Sequence, residues 1–277
     1  MRSMPTTLSP TTLTLPEIER FRTDGYVVVE RAFSPDDART MQDEWWAELS
    51  DAHGIRRDDR TTWRQPRGDL KRAKHSANQQ KLASPRACGV IDDLLGRGDW
   101  PEPRHWGRVL TTFPQAGTWD VPTRIWHSDS PFAWHRDRMN GVQIFSFIDK
   151  VAPGGGGTLI LAGSPTLLER YDAERHDRDR LRPADDFDRF RRSHPWLAAL
   201  TGHAPSPPDR IAFFMQADAD VDGVPARVVE LTGEPGDMVF CHPCIVHCAA
   251  PNSDVRPRFM RIAGVMTHEG RARRRGA

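Results

Sequence analysis

From Arg108 onward the chain is cut into short β-branched or aromatic runs, each closed by a turn signal. "RVLTTF" (108–113), "TRIWHSD" (123–129), "GVQIFSFID" (141–149) and "TLILAGS" (158–164) come first. After an interruption follow "RIAFFMQAD", "ARVVELT", "DMVFCH", "CIVHCAA" and "RFMRIAGVMTH". Many short strands separated by turns predict an antiparallel sandwich or barrel. The 23 prolines and 21 glycines among 277 residues supply the turns and argue against a helical bundle. The "PGGGG" run (153–157) is one such turn, and no Gly-Lys-Ser/Thr follows it to make a phosphate loop.

Helices are expected at the front and in one insert. Leu15–Arg22 has Pro16 in its first turn, and Gly25 breaks it before the strand-like "YVVVERAF". Ser34 and Pro35 open a second helix, "DDARTMQDEWWAEL", and Ser84–Leu95 reads as a third. The arginine-rich stretch 53–74 reads as a solvated loop, with an anion-contacting lid as the sharper alternative. The expected organisation is a flexible amino terminus over 1–15 and one domain over 16–268. That domain carries a charged insert at 166–208, and a disordered tail occupies 269–277.

Charge and cysteines narrow the class. A formal charge of +1 gives no basic excess of the kind nucleic-acid binding needs. Apolar runs such as "YVVV" are too short to span a membrane, and the first residues lack the apolar core of a secretion signal. Cys88, Cys241, Cys244 and Cys248 have poor spacing for a disulfide framework. A cytoplasmic protein, monomeric or homodimeric, acting on a small molecule is the expectation.

Chemistry concentrates in "WHSDSPFAWHRD" (126–137), which holds His-x-Asp twice, at His127/Asp129 and His135/Asp137. On an extended segment, i and i+2 project from one face, so His127 and Asp129 aim an imidazole and a carboxylate at one point. That supplies two ligands of a two-histidine, one-carboxylate iron site. His135/Asp137 lies in a polar stretch ending at Asn140-Gly141, where a loop holds side chains less firmly. A third ligand is sought in "EPGDMVFCHPCIVHCAAPNSDVRPRFMR". There a strand reaches His247, turns at Pro251-Asn252 and returns through Arg258. An arginine beside a metal-facing histidine suits bidentate capture of a carboxylate. His242, five residues before His247, has the opposite strand parity unless Pro243 breaks it. "CHPCIVHC" also admits a zinc site, which would make the protein a zinc-stabilised interaction module; otherwise its cysteines are apolar wall residues.

His127-x-Asp129, "GGGGTLILAGS", "GDMVFCHPCIVHCAAPNSDVRPR" and the opening "FRTDGYVVVERAFSPDDA" together resemble the phytanoyl-CoA dioxygenase family. The resemblance runs from about Pro16 to His268 and weakens over 53–105 and 166–230. It implies a mainly β fold with flanking helices around a double-stranded β-helix, or jelly-roll. It also implies Fe(II) held by His127, Asp129 and His247, with 2-oxoglutarate and O2 as co-substrates. Arg258 falls on the arginine that grips the distal carboxylate of 2-oxoglutarate, and Thr111 and Ser146 fall near further contacts. The implied activity is a dioxygenase that hydroxylates, or otherwise oxidises, an unactivated C–H of a small molecule of natural-product type, releasing succinate and CO2. Asp129 argues against a halogenase, in which the carboxylate is lost. Ala249 stands where the family often has serine, Phe145 where some members have tryptophan, and "AGSP" (Ala162–Pro165) replaces "PGSH". The first two keep alive a non-catalytic metal-binding jelly-roll.

Overall fold

The computed structural model describes residues 12–66, 69–130, 139–174 and 183–276, the backbone alone at 183 and 273–276. Helix α1 (Leu15–Asp24) begins with a reciprocal capping box between Thr14 and Glu17 and ends at Gly25, whose φ is 83°. Residues 1–11 of the expected flexible terminus lie outside the described residues. From Thr12 the chain is tied down, because the amides of Thr12 and Leu13 both donate to Asp93 Oδ2 at 2.8 Å. Strand β1 (Tyr26–Val29) leads into α2 (Pro35–His53), capped by Ser34, with Met41, Trp45 and Leu49 on its buried face. The stretch 53–74 is partly ordered, as a tight turn over Arg60–Thr62 and a short helix α3 (Lys71–His75). Three of its arginines answer carboxylates of the same chain: Arg56 pairs with Asp58, Arg57 with Asp43 and Arg72 with Asp51. These pairs are exposed, in keeping with the expected solvated stretch. Helix α4 (Pro85–Leu95), capped by Ser84, completes this layer.

The strands are β2 (Arg108–Thr112), β3 (Gly141–Phe147) and β4 (Thr158–Ala162). Among the described residues four helices then intervene: α5 (Ser164–Ala173), α6 (Pro183–Arg191), α7 (Pro195–Leu200) and α8 (Arg210–Met215). Strands β5 (Ala219–Val221), β6 (Val224–Glu230), β7 (Met238–Cys241), β8 (Val246–Ala249) and β9 (Arg258–Met266) follow, before α9 (His268–Gly276). They form two antiparallel sheets, ordered β1-β7-β3-β9-β2 and β5-β6-β4-β8. This is the expected jelly-roll.

Strand alternation sorts the apolar residues into three cores. Phe145, Phe147, Ile160 and Met260 meet between the sheets. Ile144, Phe240, Phe259 and Val265 face the layer of α2 and α4. Leu159, Leu161 and Val246 face the insert, where Trp196 and Phe214 cover them. No helix among the described residues is long and apolar enough to cross a membrane.

Several segments depart from expectation. "RIAFFM" is the helix α8, because Asp209 caps it, accepting from the Ala212 amide at 2.9 Å. Its Arg210 is buried against the carbonyls of Val121, Pro122, Ala199 and Leu200. "TLILAGS" stops as a strand at Ala162, because Gly163 turns left-handed with φ 82° and α5 begins. The tail expected to be disordered is helical over His268–Gly276.

Candidate metal centre

"TRIWHSD" does not form a regular strand. Ile125 adopts φ 63°, and the segment touches a sheet at one antiparallel bridge, His127 to His247. The two residues exchange both backbone bonds: the His127 amide donates to the His247 carbonyl at 3.0 Å, and the reverse bond is 2.8 Å. A loop residue is thereby clasped to β8, and the two rings lie 4.3 Å apart between centroids.

The same local contact orients both rings. His127 Nδ1 lies 2.8 Å from the Ile125 carbonyl, and His247 Nδ1 lies 3.1 Å from the Ile245 carbonyl. A carbonyl only accepts, so each Nδ1 must carry the proton and each Nε2 keeps its lone pair free. Asp129 stands between them, with Oδ1 3.8 Å from His127 Nε2 and Oδ2 4.0 Å from His247 Nε2. One ligand atom from each of the three lies within 4.8 Å of the others. Metal–ligand bonds of about 2.0–2.2 Å span roughly 4 Å across an ion, so the donor set fits one first-row cation. Burial, more than the neighbouring His127, lowers the pKa of His247, which favours the neutral ligand form. His127 and Asp129 are exposed, leaving one side of the group open.

Gln143 is a site residue that sequence reasoning missed. It is buried on β3, and its Nε2 donates to Asp129 Oδ2 at 2.8 Å. Its signal was available: it is the polar residue sharing the inward parity of Phe145, whose ring lies edge-on to His247 at 6.1 Å.

Arg258 begins β9, buried at 5% exposure and opposite Thr112. Its Nη1 donates to the Gly156 carbonyl at 2.7 Å, and its Nε is buried without a partner. Glu230 accepts from the amides of Gly154 and Gly157, so the glycine-rich turn lies between this acid and this base. Gly156 has φ 77°, and a Cβ there would sit 2.8 Å from that of Asn252, so the turn requires glycine. Burial pulls the guanidinium pKa down to about 10 while the Glu230 charge opposes this, leaving Arg258 cationic at neutral pH.

The structure does not bring Thr111 or Ser146 to this group. Thr111 pairs with Phe259, which packs on Trp45 and Trp46 of α2. Ser146 pairs with Met238 and Arg261, on the same outer face. Side chains directly opposite one another share a face, so both point into the helical layer. The inward polar neighbour is instead Thr158, paired with Ala249 two residues beyond His247.

His242 accepts the Cys244 amide on its own Nδ1 at 3.1 Å and lies outside the three-residue group. The cysteines divide between cores, Cys241 between the sheets and Cys244 and Cys248 under the insert, so they do not converge as zinc ligands. His135 and Asp137 lie outside the described residues.

The sequence profile of the family "Phytanoyl-CoA dioxygenase (PhyH)" matches residues 21–260. Comparison with curated protein sequences gives no significant match. Among solved structures, EctD from S. alaskensis with bound Fe is 18% identical with a TM-score of 0.56, covering 95% of this chain and 80% of that one. The non-heme alpha ketoglutarate dependent carbocyclase SnoK from nogalamycin biosynthesis is 17% identical with a TM-score of 0.55, covering 93% and 87%. AviO1 from Streptomyces viridochromogenes is 17% identical with a TM-score of 0.53, covering 94% and 97%. These likenesses carry the fold, and the profile match carries the lineage. The chain belongs to the phytanoyl-CoA dioxygenase family of Fe(II)- and 2-oxoglutarate-dependent oxygenases.

Proposed function

We propose that this oxygenase oxidises an unactivated C–H bond of a small molecule, hydroxylation being the default outcome, with His127, Asp129 and His247 as the iron ligands. The observation that carries the reading is the convergence of two Nε2 lone pairs and one carboxylate, both Nδ1 atoms being tied to backbone carbonyls. Bound Fe(II) with 2-oxoglutarate and O2 supplies the oxidising chemistry and releases succinate and CO2.

The chain's own residues position and shield. Gln143 holds one oxygen of Asp129 and leaves the other toward His127. Arg258 supplies a buried cation for the distal carboxylate of 2-oxoglutarate, held in place by Gly156. Phe145 closes the interior behind His247 with an apolar edge that keeps water out. Thr158 offers a hydroxyl beside Ala249, where the family often has serine. A substrate of natural-product type is in keeping with the likeness to SnoK, from nogalamycin biosynthesis. A cytoplasmic monomer or homodimer is the setting we assign.

Anaerobic titration with Fe(II) and then 2-oxoglutarate tests the reading. A visible charge-transfer band, followed by succinate release in air, is expected. Bound Fe(II) with no band would point instead to a non-catalytic metal-binding jelly-roll in which Ala249 and Phe145 have cost the co-substrate.

A further inference from the structure

Beside Asp129 the barrel opens into a cavity of about 450 Å³, large enough for a small organic molecule. Asp129, Ser130 and Gln143 line it near the metal group, and Arg108, Ile262 and Gly264 line it further out. The strand register fixes this layout. Gln143 stands opposite Gly264, and Phe145 stands opposite Ile262, which in turn faces Arg108 on β2. Two interstrand steps and two residues of rise separate the Cα atoms of Gln143 and Arg108 by about 12 Å.

Two features of the lining are unusual. Arg108 is exposed to the opening, and its guanidinium makes no hydrogen bond or ion pair among the described residues. Arginines of the outer layer are engaged by contrast: Arg261 binds the carbonyls of Ala73, Lys74 and Gly107, and Arg57 binds Asp43. Gly264 is the second. The inward positions of β9 carry Arg258, Met260, Ile262 and Met266, yet at Gly264 an added Cβ would meet nothing within 4 Å. Its φ lies outside the left-handed range, so backbone conformation does not require glycine there. The missing side chain leaves open the space directly across from the residue that holds Asp129.

We propose that this cavity is the substrate chamber and that it takes a small molecule bearing an anionic oxygen group, such as a carboxylate, sulfonate or phosphate, on Arg108. The carbon skeleton lies over Gly264 toward Asp129. The proposal rests on the oxygenase reading, because the metal group is what makes this cavity a reaction chamber. Electrostatics favour an anion: among the described residues of the lining Asp129 is the other charged one, and a bound cation neutralises it, leaving the guanidinium as the uncompensated charge there.

The test uses two fluorescent probes of nearly equal shape, anilinonaphthalene sulfonate and neutral N-phenylnaphthylamine. Each is titrated into the full chain under argon, with and without Fe(II) and 2-oxoglutarate. The sulfonate is expected to bind more tightly, and Arg108→Gln to weaken it about ten-fold while leaving the neutral probe unaffected, the cost of one charge-assisted contact. Gly264→Leu is expected to exclude both probes, and the smaller Gly264→Ala to weaken both. Equal affinity for the two probes, no binding, or a sulfonate affinity indifferent to Arg108→Gln or Gly264→Leu overturns the proposal. The charge-transfer band of the native chain reports separately on the oxygenase reading, so a band without probe preference sinks the anion site alone.

Discussion

The two imidazoles are set by one device, each Nδ1–H donating to the carbonyl two residues earlier, so neither ring needs a distant partner to face the metal. Loss of either ring therefore removes a candidate ligand and leaves the backbone bonds between the two residues in place. His247→Ala is expected to abolish stoichiometric Fe(II) binding, measured by metal analysis after desalting. Gln143→Leu should retain iron but lower its affinity about ten- to a hundredfold, the usual cost of losing a contact that orients a ligand; competition with a chelator of known affinity measures it. At this scale the sequence was legible where chemistry is local. His-x-Asp marked two members of the three-residue group, and the His247–Arg258 hairpin marked the third and the buried cation. It was illegible where strand parity decides. Thr111 and Ser146 carry suitable hydroxyls but face Phe259 and Arg261 in the outer layer. Gln143, with the right parity, reads as an interruption of an apolar run.

Among elements, β8 matters most, because it carries His247 and borrows part of its anchorage. The Val246 amide donates to Ser164 Oγ at 2.9 Å, a buried bond from the first residue of α5. Ser164→Ala leaves that amide unpaired, and a cost of about 1–3 kcal/mol is expected in a urea or thermal unfolding series. Strands whose apolar pattern coincided with their ends, such as β3 and β9, were readable from sequence. Two segments were not. "RIAFFM" has the composition of a buried strand, but the Asp209 cap and the buried bonds of Arg210 make it helical. "TRIWHSD" looks extended and is a loop, because Ile125 turns left-handed and only His127 finds a partner on the sheet.

For the molecule as a whole, pH and metal act in separate ways. Burial lowers the pKa of His242 from 6.5 to about 4, so folding favours its neutral ring. The contribution is complete above the unfolded value and is lost as pH falls from about 6.5 toward 4. His242→Gln should therefore flatten part of the acid limb of Tm against pH, without moving the limb above pH 7. Fe(II) binds only the folded arrangement, so at a hundredfold excess over its Kd it should add about 2.7 kcal/mol of apparent stability, read as a rise in Tm that a chelator reverses. The backbone clasp between His127 and His247 bears on how such variants are to be interpreted. Both of its bonds run between main-chain atoms, so a substitution other than proline at either position keeps the donor and the acceptor. The loop keeps this fastening when the imidazole is gone, so iron lost in such a variant is not lost through release of the clasp.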